Sequence, residues 1–404
     1  MNRLRDAALA VLSRDSAGLA IAALVAALCW ALAQALPDAA SKALAVFGLA
    51  SCSVLALASL RHMLTLSRAR RAQPAPGKMF DLDGYRVHLL AEGESRPGRP
   101  PVVWFAGGHA SGYAIHHLHR ALRSETRSIL IDRPGTGWSD TGPFPRTTAR
   151  EAEEMIAAIE KSGERGPFVW AGHSFGGLLV ANVARRRPDL VHTVVLLDPT
   201  PLETIVFGPR LSALGDMRRT AWLGGLAQLF GINLMARHEA KARQNPTYAK
   251  VMDAVQAALG PEVAAARTVE VNAGNFFTQA SIYRELSPEG VAACAWDTVV
   301  YDRDLGSLPL WLVGPKDDSD NYSDNDIASL PESKAGGAEN ARRMFSFFAA
   351  TRERYLAASS NSRRILAPKG SGHNFVYEHP EWTIAVMRAL ICGTAMPDLP
   401  EPSA

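Results

Sequence analysis

Cysteine is scarce: Cys29, Cys52, Cys294 and Cys392 are the only four in 404 residues. They stand far apart, so the chain encodes neither a disulfide framework nor a zinc-type ligand set. Plain buried thiols in a reducing compartment are expected. Net charge is also small, +3. The excess lies at the front, where residues 1–78 hold nine Lys/Arg against three Asp/Glu. Beyond them no basic stripe interleaved with aromatics appears, which excludes a nucleic-acid partner. Gly135 and Gly137 lack a following Gly-Lys-Ser/Thr, and the G-x-G-x-x-G pattern is incomplete, so no nucleotide or other cofactor is expected. His109, His116, His117 and His119 crowd together. No Asp or Glu joins them at ligand spacing along the chain, so no metal is expected there either.

Long apolar runs, by contrast, are present. Ala17 to Leu36 carries no charge over about twenty residues, enough to cross a bilayer core as a helix. Ala43 to Leu60 is a second uncharged run, and Pro37 to Lys42 between them reads as a polar turn. Arg3, Arg5 and Arg14 precede the pair, and Arg61, Arg68, Arg70 and Arg71 follow it. The positive-inside rule puts both ends in the cytoplasm. Two other readings stand beside this one. Ala33-Gln34-Ala35 resembles a signal-peptidase site, and the Ala-rich runs would also suit a soluble helical hairpin packed on the main domain. The expectation is a membrane anchor over residues 1–72, in a bacterial-type inner membrane, with the catalytic domain on the cytoplasmic side. Gln73 to Lys78, rich in proline, is the linker.

From Met79 on, strands and helices alternate. Phe80 to Leu90 is a hairpin around Asp83-Gly84. Pro101–Ala106, Ser128–Asp132, Pro167–Ala171, Val191–Leu197, Leu308–Val313 and Arg364–Ala367 are continuous apolar strands, as in a sheet covered on both faces. Helices follow at Gly112–Arg123, at Thr148 behind a capping box, after Gly176, and at Pro380–Ile391. Such alternation means a mostly parallel sheet between helical layers, opened by an antiparallel hairpin. The rhythm breaks from Pro201 to Asp297, where Leu211–Leu226, His238–Ala242, Ala249–Leu259 and Pro261–Ala273 read as helices. An insertion there lies over the ligand face of an open α/β sheet and reads as a cap. The core is thus 79–200 and 298–393, the cap 201–297 and the tail 394–404.

The chemistry centres on Ser174, in Gly172-His173-Ser174-Phe175-Gly176 between a buried strand and a helix. That order describes a nucleophile elbow, with glycines where side chains would strike the flanking elements. Serine needs a base. His373, in Gly372-His373-Asn374 just past the last strand, reaches the same sheet edge. The imidazole needs an acid. Asp317, after the Leu308–Val313 strand, is the first choice, with Asp318, Asp320 and Asp198 as alternatives. For the oxyanion, the N–H of Phe175 and that of Gly108 in Gly107-Gly108-His109 are expected to donate.

Over Met79 to Cys392 the chain resembles the α/β-hydrolase superfamily. The resemblance rests on Gly107-Gly108, Asp132-Arg133-Pro134-Gly135-Thr136-Gly137-Trp138-Ser139, Gly172 to Gly177, Gly314 to Asp318, and Gly372-His373 with His379-Pro380-Glu381. It implies an eight-stranded sheet, a helical cap after the sixth strand and a Ser-His-Asp triad. Many relatives carry His-Gly where this chain has Ala106-Gly107. Serine at the elbow separates it from the haloalkane dehalogenase and epoxide hydrolase branches, which attack with a carboxylate. The expected activity is a serine hydrolase on an ester-type bond of a lipophilic acyl substrate, carboxylesterase- or lipase-like. C–C hydrolysis, perhydrolysis, acyl transfer or a silent binding role remain open, as does the oligomeric state.

Overall fold

The computed structural model describes all residues except 1, 36–37, 202–210, 235, 237–238, 241–242, 245, 261, 288–289, 291–296, 317–326, 328–336 and 398–404. Three helices lead the chain: α1 (Asn2–Leu12), α2 (Ala17–Ala35) and α3 (Ala39–Ala72). Helix α2 and the first part of α3 are long and apolar enough to cross a membrane, and only 17% of each apolar window is buried. Leu24, Leu28, Trp30, Leu44, Phe47 and Leu57 point outward. A hairpin fully packed into a soluble core would hide such side chains. The two helices run antiparallel, brought close at two glycines. A Cβ on Gly18 would come 2.7 Å from Ser59 Oγ, and one on Gly48 2.8 Å from Cys29 Sγ. Helix α3 runs on past the apolar stretch through Arg61, Arg68, Arg70 and Arg71, and Arg70 pairs with Asp15.

The expected core follows. Strands β1 (Lys78–Asp81) and β2 (Arg86–Glu92) form the hairpin. After them come β3 (Val102–Phe105), helix α4 (His116–Leu122), β4 (Ser128–Ile131), helix α5 (Thr148–Ser162), β5 (Phe168–His173), helix α6 (Phe175–Arg186) and β6 (Val191–Leu197). The cap contributes α7 (Leu211–Gln228), α8 (Pro246–Ala258), α9 (Glu262–Glu270) and α10 (Ala273–Glu285). Then follow β7 (Leu310–Gly314), α11 (Gly337–Glu353), β8 (Ser362–Leu366), α12 (Phe375–Glu378) and α13 (Pro380–Cys392). The eight strands lie in one sheet in the order β1-β2-β4-β3-β5-β6-β7-β8. Pairings from β4 to β8 are parallel, and β2 joins β4 antiparallel. All residues of β3, β4 and β5 are buried, which explains their unbroken apolar character. The faces pack into two clusters, one with Phe105, Trp170 and Met155, the other with Trp104, Leu118 and Trp382.

Some helices depart from expectation. The cap helix expected over Pro261–Ala273 is α9, which ends at Glu270, and α10, capped by the Asn272 side chain, is a further helix that was not expected. Helix α11 was not expected; it carries Arg352, which pairs with Asp198. The candidate helix His238–Ala242 lies partly outside the described residues. The cap is also fastened to the N-terminal helices. Leu9, Ala17, Leu229, Ala273 and Phe277 share one buried cluster. A Cβ on Gly18 would come 2.3 Å from the carbonyl oxygen of Leu229.

Candidate active site

The parallel strands end at one sheet edge, and their last residues build the site. The turn after β5 holds Ser174 at φ 55° and ψ −123°, an uncommon backbone conformation for a residue with a side chain. Surrounding bonds fix it: Ser174 N–H donates to Leu197 O (3.1 Å), and Ser174 O accepts from Gly177 N–H and Thr200 N–H (2.9 Å each). The flanking glycines are required as expected. A Cβ on Gly172 would lie 2.3 Å from Gly176 O, and one on Gly176 2.5 Å from Phe105 O.

Ser174 Oγ donates to His373 Nε2 at 2.9 Å, and His373 Nδ1–H donates to Asp198 Oδ2 at 2.6 Å. The serine and histidine named from the sequence therefore meet. The acid needs correction. Asp317, Asp318 and Asp320 lie outside the described residues, and the carboxylate against the imidazole is Asp198, directly after β6. Nδ1 has one hydrogen to give, and Asp198 takes it. The Asp198 backbone turns at φ 45°, close over Gly314 of β7, and its side chain is 2% exposed. Its second oxygen, Oδ1, accepts from the buried Arg352 of α11. Burial alone would push the Asp198 carboxyl up, but the charges of His373 and Arg352 outweigh it and hold the group below the usual carboxylate range.

His373 is held in place by a second histidine. His173 Nε2–H donates to His373 O at 2.9 Å, and the two rings stand 4.9 Å apart. Burial pushes His173 down to about 3, with the neighbouring His373 adding to the effect, so it stays neutral. Its Nδ1 is buried without a partner and faces Gly107, where a Cβ would lie 3.0 Å away.

The expected oxyanion loop follows β3. A Cβ on Gly107 would stand 2.9 Å from Ser174 Cβ, a closeness that requires glycine. Gly108 follows at φ 52°. The Arg133 guanidinium donates to the carbonyls of Gly108 and Ala110 and lies 5.2 Å over the Phe175 ring. Arg133 is in turn paired with the buried Glu151. One cation thus ties both residues expected to supply oxyanion donors. Above them His109 packs against Phe175 and edge-on against Tyr283 of the cap, at centroid distances of 5.5 and 5.2 Å.

The glycine-containing loop 133–139 wraps a carboxylate rather than presenting an anion cradle. Asp132 accepts from Gly112 N–H (2.8 Å) and Trp138 N–H (3.1 Å) and pairs with His88 Nδ1 (2.8 Å). His88 Nε2 accepts from Gly77 N–H at 3.0 Å, and Trp138 Nε1–H donates to Gln73 O at 2.9 Å. The linker is therefore bonded to the core at both ends.

The histidine cluster also gains a carboxylate that chain spacing did not reveal. Pairing of Glu92 with Ser128 across β2 and β4 brings Glu92 beside His116 and His119. The hydrogen bonds settle the roles. Glu92, as a carboxylate, can only accept, so His119 Nε2 carries the hydrogen between them (2.8 Å). Nδ1 of the neutral ring then accepts from Ser128 Oγ (2.9 Å), which itself accepts from Trp104 Nε1–H (2.9 Å). Glu92 also pairs with Arg123. His119 thus has a hydrogen-bond partner on each ring nitrogen.

The model of the alpha/beta hydrolase family matches residues 97–386. The chain belongs to that family. Among relatives, lipase LipV of Mycobacterium tuberculosis is 34% identical over 113 residues, covering 28% of this chain and 41% of its own. A vacuolar membrane protein of Saccharomyces cerevisiae, itself uncharacterized, is 29% identical over 133 residues, covering 28% and 20%. The Cif epoxide hydrolase of Acinetobacter nosocomialis matches in structure with a TM-score of 0.51 at 15% identity, over 80% of this chain and 94% of its own. That likeness concerns the fold. The aligned stretches span at most 42% of the length of the first curated relatives.

Proposed function

We propose that the protein is a membrane-anchored serine hydrolase that cleaves an ester-type bond of a lipophilic acyl substrate through an acyl-enzyme. The observation that carries this reading is the hydrogen-bonded line Ser174–His373–Asp198 behind a serine at positive φ. In the proposed reaction His373 Nε2 takes the Ser174 proton as Oγ attacks the carbonyl carbon. Asp198 holds the imidazole in the tautomer with Nδ1–H and offsets the charge that forms on it. The N–H groups of Phe175 and Gly108 receive the oxyanion. His373 returns the proton to the leaving group as the C–O bond breaks. Water, deprotonated by His373, then releases the acid.

The ester class is supported by the serine at the elbow, where a carboxylate nucleophile would serve haloalkane or epoxide opening. A relative named as a lipase agrees with it. Anchoring is supported by the outward apolar surface of α2 and α3 and by a relative named as a membrane protein. The arginines that follow the second apolar stretch favour a cytoplasmic catalytic domain.

The test is labelling of the full chain by a fluorophosphonate, beside Ser174→Ala and His373→Ala, followed by turnover on esters of increasing acyl length. Labelling should vanish in both variants, and turnover should rise with chain length. Well-folded protein that takes no label, or Ser174→Ala that still hydrolyses esters, refutes the mechanism.

A further inference from the structure

Helix α1 is turned the wrong way for a helix facing water. Leu9 points inward and shares a buried cluster with Ala17, Leu229, Ala273 and Phe277. Leu4, Ala7, Ala8 and Val11 lie on the opposite face and are exposed. Leu4 is 80% exposed and Val11 54%. A helix packed on a soluble domain ordinarily turns a polar face outward.

Helix α7 of the cap changes character along one outer face. Asp216, Arg219, Leu223 and Leu226 are exposed there at helical spacing. The face begins charged and ends apolar, with Leu223 60% exposed and Leu226 41%. Just beyond the helix Ile232 is 45% exposed. This apolar end is the one that meets the N-terminal hairpin. A Cβ on Gly18 of α2 would come 2.3 Å from Leu229 O, and one on Gly231 3.1 Å from His62 Cβ of α3. Gln228 Nε2 lies 3.3 Å from His62 Nε2.

We propose that the outward face of α1 and the apolar end of α7 rest in the surface of a lipid bilayer, so that the cap lies against the membrane as well as being tethered to it. Position selects this occupant. Gly18 stands at the start of the first uncharged run and His62 just past the end of the second, so α7 ends where both runs would leave the bilayer core. Leu60 and Leu64, on either side of His62, continue the exposed apolar surface of α3 past that point. Helices that lie in the interface bury an apolar face at this depth. The contact needs apolar area and no particular headgroup. It also reaches the active site through one helix. Leu9 of α1 shares its buried cluster with Ala273 and Phe277 of α10, and Tyr283 of α10 packs on His109 beside Phe175. The inference rests on the anchored reading for the depth at which α7 ends.

The test is photocrosslinking of the full chain in phosphatidylcholine vesicles. A benzophenone-bearing phenylalanine replaces Leu4, Leu223, Phe47 or Glu153, one at a time, and the irradiated protein is weighed by mass spectrometry. Phe47 of α3 reports on the anchor, and Glu153 of α5, on the hydrolase core, is the exposed control. A mass shift of one phospholipid is expected at Leu4 and Leu223 and none at Glu153. No lipid adduct at Leu4 and Leu223 overturns the proposal, and if Phe47 still gives one, the anchor survives it. Adducts at Leu4 and Leu223 without one at Phe47 keep the docked cap and remove the anchor. A covalent protein dimer at Leu4 or Leu223 in place of a lipid adduct overturns the proposal, because a second copy of the chain would then cover this face. Equal adducts at Glu153 overturn it as well.

Discussion

Asp198→Asn is the most informative single change. Asp198 is 2% exposed and accepts from two donors, His373 Nδ1–H on one oxygen and Arg352 on the other. An asparagine in the same place has one acceptor oxygen and one NH2 group. If the oxygen faces Arg352, the NH2 meets the imidazole and drives its hydrogen to Nε2, where it can no longer take the serine proton. If the oxygen faces His373, the NH2 confronts a buried guanidinium. The first arrangement keeps the cation satisfied and costs the tautomer. Turnover should then fall about 10³–10⁴-fold, or roughly 4–5.5 kcal/mol in the barrier. Disturbing a buried charge pair can also cost up to about 3–5 kcal/mol of stability. The double change with Arg352→Met removes the buried cation that the neutral amide no longer balances, and should recover much of the stability but none of the turnover. The assay is kcat on a nitrophenyl ester, with the rate of fluorophosphonate labelling and a thermal melt on the same preparations. Asp317→Asn should stay within about twofold of wild type. Asp198→Asn retaining more than about a tenth of turnover, with Asp317→Asn losing three orders of magnitude or so, would falsify the assignment.

Three further outcomes are expected. Gly107→Ala sets a Cβ 2.9 Å from Ser174 Cβ, and should lower kcat by about 10²-fold or more with only a small shift in melting temperature. Burial, with the nearby Asp132 charge second, pushes Glu270 up to about 7. The folded chain thus holds a proton there that the unfolded chain releases, and stability should fall as pH rises from about 4.5 to about 7. Glu270→Gln should remove that slope and stabilise the protein at pH 8 by on the order of 2–3 kcal/mol, read from melts across pH. A slope unchanged in the variant would sink this reasoning. Asp198 has the opposite sign, because its carboxyl is held below its usual value. Its contribution is complete above about pH 4 and lost as pH falls further, so acid unfolding of Asp198→Ala should be shallower than that of wild type in this range.

The sheet was legible because its central strands are buried on both faces, so each is a short unbroken apolar run between turn residues. The elbow was legible for a steric reason: Gly172 and Gly176 stand where backbone oxygens leave no room for a Cβ. Helix α10 was harder to read. It carries buried residues on nearly every side, Asn275, Thr278, Ser281 and Glu285 among them, so no apolar stripe marks it. Helix α11 did leave a signal, since Ala341, Met344 and Phe345 are buried at helical spacing.

The acid could not be chosen from sequence because β6 and β7 are parallel neighbours, and each ends near an aspartate at the same sheet edge. What brings Asp198 to the imidazole is the path of the backbone after β6. Asp198 leaves β6 at positive φ, which local propensity does not favour for a residue other than glycine, asparagine or aspartate. That turn folds the carboxylate back over Gly314, where a larger residue would meet Asp198 Cβ at 3.2 Å. The same turn carries Asp198 to Arg352, a residue 154 positions later in the chain on a helix whose role was not foreseen. The site's acid is thus specified jointly by β6, a glycine in β7 and an arginine in α11. Glu92 makes the same point from the other side of the sheet. Its partnership with His119 follows from strand register, which spacing along the chain does not record. Residues that act through their own local turn, Ser174 and His373, were readable one at a time. Those whose role is set by what a distant element brings to them were not.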